Sequence, residues 1–185
     1  MQRLVPTRSL VAVIDVQERL AAVMPSERMA ELVKRTLVLL GAAELLGAPI
    51  IASEQYPKGL GKTVPELEQK LTKVRARRLE KMAFSAYAAP ELSSLVAEAR
   101  PTAAIVVGME THICVYQTVR DLLAQGIEVH VPVDAVVSRR EVDRAAGIAL
   151  CERAGAIPTT VEAVVFDWLE RAGTDAFRAV SKLVR

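Results

Sequence analysis

Two cysteines, Cys114 and Cys151, stand in a chain of 185 residues. That excludes a disulfide framework and points to free thiols in a reducing compartment, the cytoplasm. Histidine is as scarce: His112 and His130 are the only two. Neither has a second ligand at a recurring spacing, so no metal site is expected, and no organic cofactor is implied. Aromatic residues make up 4% of the chain, which argues against an all-β interior and leaves no stacking platform for single-stranded nucleic acid. With 24 Lys and Arg against 22 Asp and Glu, the formal net charge is only +2. That is too small to argue for nucleic acid as a partner. The densest basic run, Lys73 to Arg78, reads as a solvated face. No apolar run approaches the ~20 residues that cross a bilayer, and Met1 to Pro6 holds no apolar core of a signal peptide. The expectation is a soluble protein.

Apolar residues, by contrast, make up 51% of the chain, enough for the core of one domain over residues 1–185. Leu10–Ile14 and Ala103–Val107 are short, continuous apolar runs, the pattern of strands buried on both faces of a parallel sheet. Further strands are predicted at Pro49–Ala52, Val74–Leu79 (ending near Lys81), Glu128–Val133 and Ile157–Thr160. Helices are predicted from Pro25 to Leu46 with Ser26 as cap, over Pro90–Ala99, Cys114–Gln125 and Arg140–Ala154, and from Val161 to Arg185 with a break at Gly173. Ser53 to Thr63 reads as a loop leaving a strand end. The alternation implies a three-layer α/β/α fold, a mostly parallel, Rossmann-like sheet of six strands with helices on both faces.

Three reactive groups fall where predicted strands end: Asp15 after the first, Lys81 after the third and Cys114 just past the fourth. In a parallel sheet such ends share one edge. A carboxylate can take a thiol proton, an ammonium favours the thiolate, and free N–H groups at a helix start stabilise both a thiolate and an oxyanion. Singly, each residue has a plainer reading: Cys114 as a small buried apolar residue, Asp15 as a cap or turn residue, Lys81 as a solvated lysine. The chemistry rests on the set. His130 reads as a core or edge histidine, and His112, two residues before Cys114, as a pocket residue or an alternative base. The Gly59 and Gly61 region lacks phosphate-loop spacing.

Three segments carry a resemblance to a known family. Val106–Val115 (VVGMETHICV) resembles the nucleophile segment of the isochorismatase-like cysteine hydrolases, Val13–Gln17 (VIDVQ) their first-strand aspartate motif, and Lys81–Tyr87 (KMAFSAY) their lysine motif. The likeness runs from about Ser9 to Val165, and Glu54–Gly61 with Glu110–His112 resembles the isochorismatase domain-containing group. It implies Asp15 as general base, Lys81 as orienting cation and Cys114 as nucleophile. It also implies a cis Met109–Glu110 peptide that aims the backbone N–H groups of Glu110 and Cys114 at an oxyanion. Gln17, Tyr56, Phe84, Tyr87 and His112 become candidates for contact with substrate, although Phe84 and Tyr87 also suit ordinary packing. Relatives that are nicotinamidases carry a metal cluster after the second strand; Ile51–Pro57 has no histidine there. Isochorismate cleavage breaks a vinyl ether without thiol attack, so Cys114 favours amide- or imide-like substrates. Ether hydrolysis, a non-catalytic scaffold and a redox-sensing thiol are the alternatives. The resemblance also implies a homo-oligomer, a dimer or larger.

Overall fold

The computed structural model describes residues 3–184; the outermost ends of the 1–185 reading, including Arg185 of the last predicted helix, lie outside them. Two central strands, β1 (Ser9–Ile14) and β4 (Ala103–Met109), bury every residue. This is the consequence of their unbroken apolar runs, which have no polar face to offer water. Around them are β2 (Ile50–Gln55), β3 (Arg77–Lys81), β5 (Glu128–Pro132), β6 (Val136–Val137) and β7 (Ile157–Thr159). All pairings are parallel in the order β3-β2-β1-β4-β5-β7, with β6 on β4 beyond the end of β5. The expected three-layer fold is therefore present, its sheet holding seven strands among the described residues, not six. Val136–Val137, only two residues long, is too short for an apolar pattern to mark.

The helices are α1 (Glu18–Ala21), α2 (Ser26–Leu46), α3 (Pro57–Leu60), α4 (Pro65–Lys73), α5 (Pro90–Ala99), α6 (Tyr116–Ala124), α7 (Glu141–Arg153), α8 (Val161–Leu169) and α9 (Asp175–Val184). Helices α2, α4 and α8 bury Leu39, Leu67 and Val165 in the apolar layer that holds Val11 and Val13 of β1. Helices α5, α6 and α7 bury Leu92, Leu122 and Cys151 against Leu10, Ala12 and Ile14. Alternate side chains of one strand thus feed both layers. Helix α2 ends where Gly47 adopts φ 77° and its N–H reaches the Ala43 carbonyl, the left-handed stop that glycine permits. Among the described residues no helix is long and apolar enough to cross a membrane.

Three expectations are corrected. Strand β2 runs on to Gln55, so the anticipated loop from Ser53 begins later and contains α3; the buried faces of Ser53 and Gln55 keep the polar residues in the sheet. Val74 closes α4 instead of opening β3, which begins at Arg77. Cys114 lies in a single π-helical turn, Thr111–Val115, ahead of α6, and not at the first residue of that helix.

Strand order reverses between β1 and β4, where a parallel sheet opens a crevice at its carboxyl edge. Gly108 sits there with φ 122°, and a Cβ on it would overlap the backbone of Ile14. Only glycine lets the two central strands approach so closely at this point.

Candidate active site

Asp15 directly follows β1. Its backbone adopts φ 50°, a left-handed conformation that aspartate tolerates better than most residues. Its N–H donates to the Ser53 carbonyl at 3.1 Å, and its own carbonyl accepts from Gln17 N–H at 2.8 Å. These bonds turn the chain out of the sheet while leaving the carboxylate over the strand ends.

Lys81 is the last residue of β3, two strands away. The register pairs Gln55 with Lys81 and Ile14 with Ser53, so the lysine stem spans β2 and its Nζ lies 2.6 Å from Asp15 Oδ2. The two side chains are 1% and 0% exposed. Burying such a pair is costly unless its remaining donors and acceptors are satisfied. They are: Nζ also donates to Gln55 Oε1 at 2.8 Å and to the Phe84 carbonyl at 2.9 Å. Ser53 Oγ donates to Asp15 Oδ1 at 2.6 Å.

Cys114 joins this pair from β4. The chain leaves that strand through a cis Met109–Glu110 peptide and enters the π-helical turn, a feature found often at functional sites. Helix α7 supports the turn from behind, where a Cβ on Gly147 would meet the backbone of Thr111 and His112. Thr118 Oγ1 donates to the Cys114 carbonyl at 2.7 Å and accepts from Ala86 N–H at 2.9 Å. One hydroxyl thus ties the cysteine turn to the segment after Lys81. Ser138 performs a similar office, accepting from Thr111 N–H at 3.1 Å and bonding His112 Nδ1 at 3.0 Å.

The cysteine is 6% exposed, and its thiol is pushed up to about 12. Burial is the main cause; the Asp15 carboxylate raises it further, and the Lys81 ammonium pulls it down. This corrects the expectation of a thiolate favoured by a nearby cation and a helix start. Desolvation outweighs the pull of Lys81, so the environment of Cys114 favours the thiol over the thiolate.

The other predicted site residues divide. Tyr56 and Phe84 are 47% and 53% exposed, while Tyr87 is partly buried against the apolar layer around Cys114. A cavity of about 280 Å³ opens beside Lys81, lined by Tyr56, Pro57, Lys58, Glu80 and Met82. Gln17 is fully buried. Its Nε2 donates to the Gln55 and Gly61 carbonyls at 3.0 and 2.7 Å, and its Oε1 accepts from Gln55 N–H at 2.7 Å. An amide so engaged braces the strand end, in place of the substrate contact expected for it. The Glu110 carboxylate accepts from Arg139 N–H and Nε at 3.0 and 3.1 Å. His130 bonds Glu128 Oε1 at 2.9 Å. Among the described residues no three His, Cys, Asp or Glu side chains are grouped as metal ligands. Ser53, Gln55 and Thr118 escaped the sequence reading; for the first two, the signal was a polar pair at i and i+2 that continues the Ile51 face of an apolar strand.

The isochorismatase domain family matches residues 9–163. The chain belongs to this family. Isochorismatase domain-containing protein 2 of Bos taurus is 33% identical over 185 residues, covering 99% of this chain and 86% of that protein. A solved structure of the MAR1 ribonuclease from Caenorhabditis elegans superposes with a TM-score of 0.92 at 38% identity, covering 99% of this chain and 92% of the other. The YcaC protein of Escherichia coli, described as an octameric hydrolase of unknown specificity, shares the fold, with a TM-score of 0.88 at 21% identity over 99% of this chain and 89% of the other. The isochorismatase-like α/β fold expected from the three motifs is thus established, and with it membership of a superfamily made up largely of hydrolases.

Proposed function

We propose that this isochorismatase-family protein is a hydrolase of small molecules that cleaves a C–N bond of amide or imide type through a covalent acyl-cysteine. The observation that carries the reading is the fully buried Lys81–Asp15 pair, 2.6 Å apart, whose two charges bear in opposite senses on the proton affinity of the buried Cys114 thiol. Asp15 takes the thiol proton as Sγ attacks the substrate carbonyl, so the high resting proton affinity of Cys114 is met by a base already in place. The oxyanion is held by backbone N–H groups of Glu110 and Cys114. Asp15 returns the proton to the departing nitrogen, the C–N bond breaks, and a thioester remains. Water, deprotonated by Asp15, attacks that thioester and releases the acid and the thiol. Lys81 stays charged throughout, holding Asp15 and offsetting negative charge. Tyr56, which lines the cavity beside Lys81, and Phe84, Tyr87 and His112 are the candidates for substrate contact.

The octameric state of YcaC and the exposed apolar side chains Val23, Leu45 and Phe166 support self-association of this chain. The free, buried state of Cys114 and Cys151 is compatible with a reducing compartment.

The test is a panel of small primary amides and imides, read by ammonia or amine release and by intact mass for a Cys114 adduct. The reading holds if wild type turns over at least one of them, Cys114→Ala is inactive, and the adduct maps to Cys114. Undiminished activity of Cys114→Ala on isochorismate would establish ether hydrolysis without thiol attack. Cleavage of RNA that survives in Cys114→Ala, with no amide turned over, would transfer the activity named for the Caenorhabditis relative and end the C–N reading.

A further inference from the structure

Strand β2 contributes nothing to the three reactive groups, yet it lies between the two strands that carry Asp15 and Lys81. A strand in that place has only to be apolar and β-branched, as its first residues Ile50 and Ile51 are. Instead it ends in Ser53 and Gln55, both buried and both facing the ion pair.

Their bonds are specific. Ser53 Oγ donates to Asp15 Oδ1 at 2.6 Å, while Lys81 Nζ occupies Oδ2 at 2.6 Å. The carboxylate plane is therefore set by one donor on each oxygen. A single donor would leave the group free to swing about its Cβ–Cγ bond. Gln55 faces the cation. Its Oε1 accepts from Nζ at 2.8 Å, and its Nε2 donates to the Met82 carbonyl at 2.9 Å. That second bond decides which end of the amide meets the ammonium. The backbone of Gln55 is pinned in turn by Gln17.

We propose that Ser53 and Gln55 are the positioning residues of this site: Ser53 orients Asp15 toward the Cys114 thiol, and Gln55 holds Lys81 on the far oxygen of Asp15. The assignment rests on the Asp15–Lys81–Cys114 reading above. It extends that reading to two residues that act through Asp15 and Lys81. General-base transfer from a buried thiol needs a lone pair aimed at the S–H bond, and a rotation of the carboxylate by a few tens of degrees removes it. Together with the backbone carbonyls of Ala83 and Phe84, to which Nζ donates at 3.3 and 2.9 Å, the Gln55 acceptor fixes the direction of the ammonium and keeps it on Asp15.

The probe is iodoacetamide, which needs no knowledge of the natural substrate. Sγ forms the S–C bond, the C–I bond breaks with loss of iodide, and the thiol proton passes to Asp15. The second-order rate constant at Cys114 is followed by peptide mass spectrometry across pH 6 to 10, with Cys151 in the same molecule as an internal standard. Asp15→Asn and Lys81→Ala are run beside Ser53→Ala, Ser53→Thr and Gln55→Met, and melting curves report folding. Slowing by about tenfold or more is expected in Ser53→Ala and Gln55→Met, with a changed pH profile, unchanged Cys151 alkylation and recovery in Ser53→Thr, which keeps the hydroxyl. If Asp15→Asn and Lys81→Ala slow Cys114 while Ser53→Ala and Gln55→Met do not, the positioning roles are wrong and the site reading stands. If none of the four alters Cys114 alkylation, the site reading fails and the proposal falls with it. Slowing of Cys151 to the same degree as Cys114, or no recovery in a folded Ser53→Thr, assigns Ser53 to packing alone and also overturns the proposal.

Discussion

The Lys81 ammonium and the Asp15 carboxylate meet at 2.6 Å from strands that are not neighbours, with both side chains withdrawn from water. Removing one partner strands the other charge in the interior, at a cost of about 3 to 5 kcal/mol. Lys81→Met is therefore expected to lose that much stability in urea denaturation. Asp15→Asn/Lys81→Met, which leaves no charge and keeps a residue tolerant of the left-handed backbone at position 15, is expected to recover most of it while remaining inactive. Equal stability of Lys81→Met and wild type would show that the buried pair is not made in solution.

The thiols give stability an alkaline limit. Burial raises Cys114 from 9.0 to about 12 and Cys151 from 9.0 to about 12. The folded state thus holds thiol protons that the unfolded chain releases. Their contribution is complete below pH 9 and drains away as pH rises from 9 toward 12. Unfolding free energies measured from pH 8 to 11 should fall with pH, and less steeply in Cys151→Ala. An identical slope in that variant would show that Cys151 loses its proton as readily folded as unfolded.

Two glycines separate backbone conformation from collision. Gly126 has φ 76° with open space around it, whereas Gly108 has φ 122° and the Ile14 backbone where a side chain would begin. Gly126→Ala should cost about 1 to 2 kcal/mol from the left-handed conformation alone. Gly108→Ala should exceed about 3 kcal/mol, since strain and overlap act together, and it should fold poorly. Similar melting temperatures for the two variants would contradict the close approach of β1 and β4.

Thr118 is the bolt between the cysteine turn and the lysine segment. Thr118→Val keeps the shape and leaves the Ala86 N–H and the Cys114 carbonyl without that partner, which should cost about 1 to 3 kcal/mol. Hydrogen exchange should accelerate at Ala86 and around Cys114 before it changes in α2. Unaltered exchange at Ala86 would show that the bond is not made in solution.

Much of this architecture was legible in one dimension. Leu10–Ile14 and Ala103–Val107 announced a doubly covered sheet because a strand buried on both faces cannot carry polar alternation. Asp15 and Cys114 stood out because each follows such a run, and Lys81 because it closes an alternating one; residues at the ends of parallel strands share an edge whatever their separation along the chain. The two-residue strand Val136–Val137 did not stand out, since its pairing depends on β4 extending past β5. Gln17 stood out as a substrate contact, but its amide is consumed by backbone groups that only the folded chain brings to it.

The state of the site was settled elsewhere. Composition and motif determined the family and the alternation of strands and helices, and singled out Asp15, Lys81 and Cys114, because these follow from local runs and the residues that end them. Tertiary structure alone decided that burial raises the proton affinity of the Cys114 thiol, that Ser53 and Gln55 face the ion pair, and that glycine is required at position 108. Proton affinity depends on how much water is excluded from a group and on which charges surround it, and close approach depends on what lies opposite. Both are properties of distance in space, and the order of residues along the chain contains no such distance until the sheet has formed.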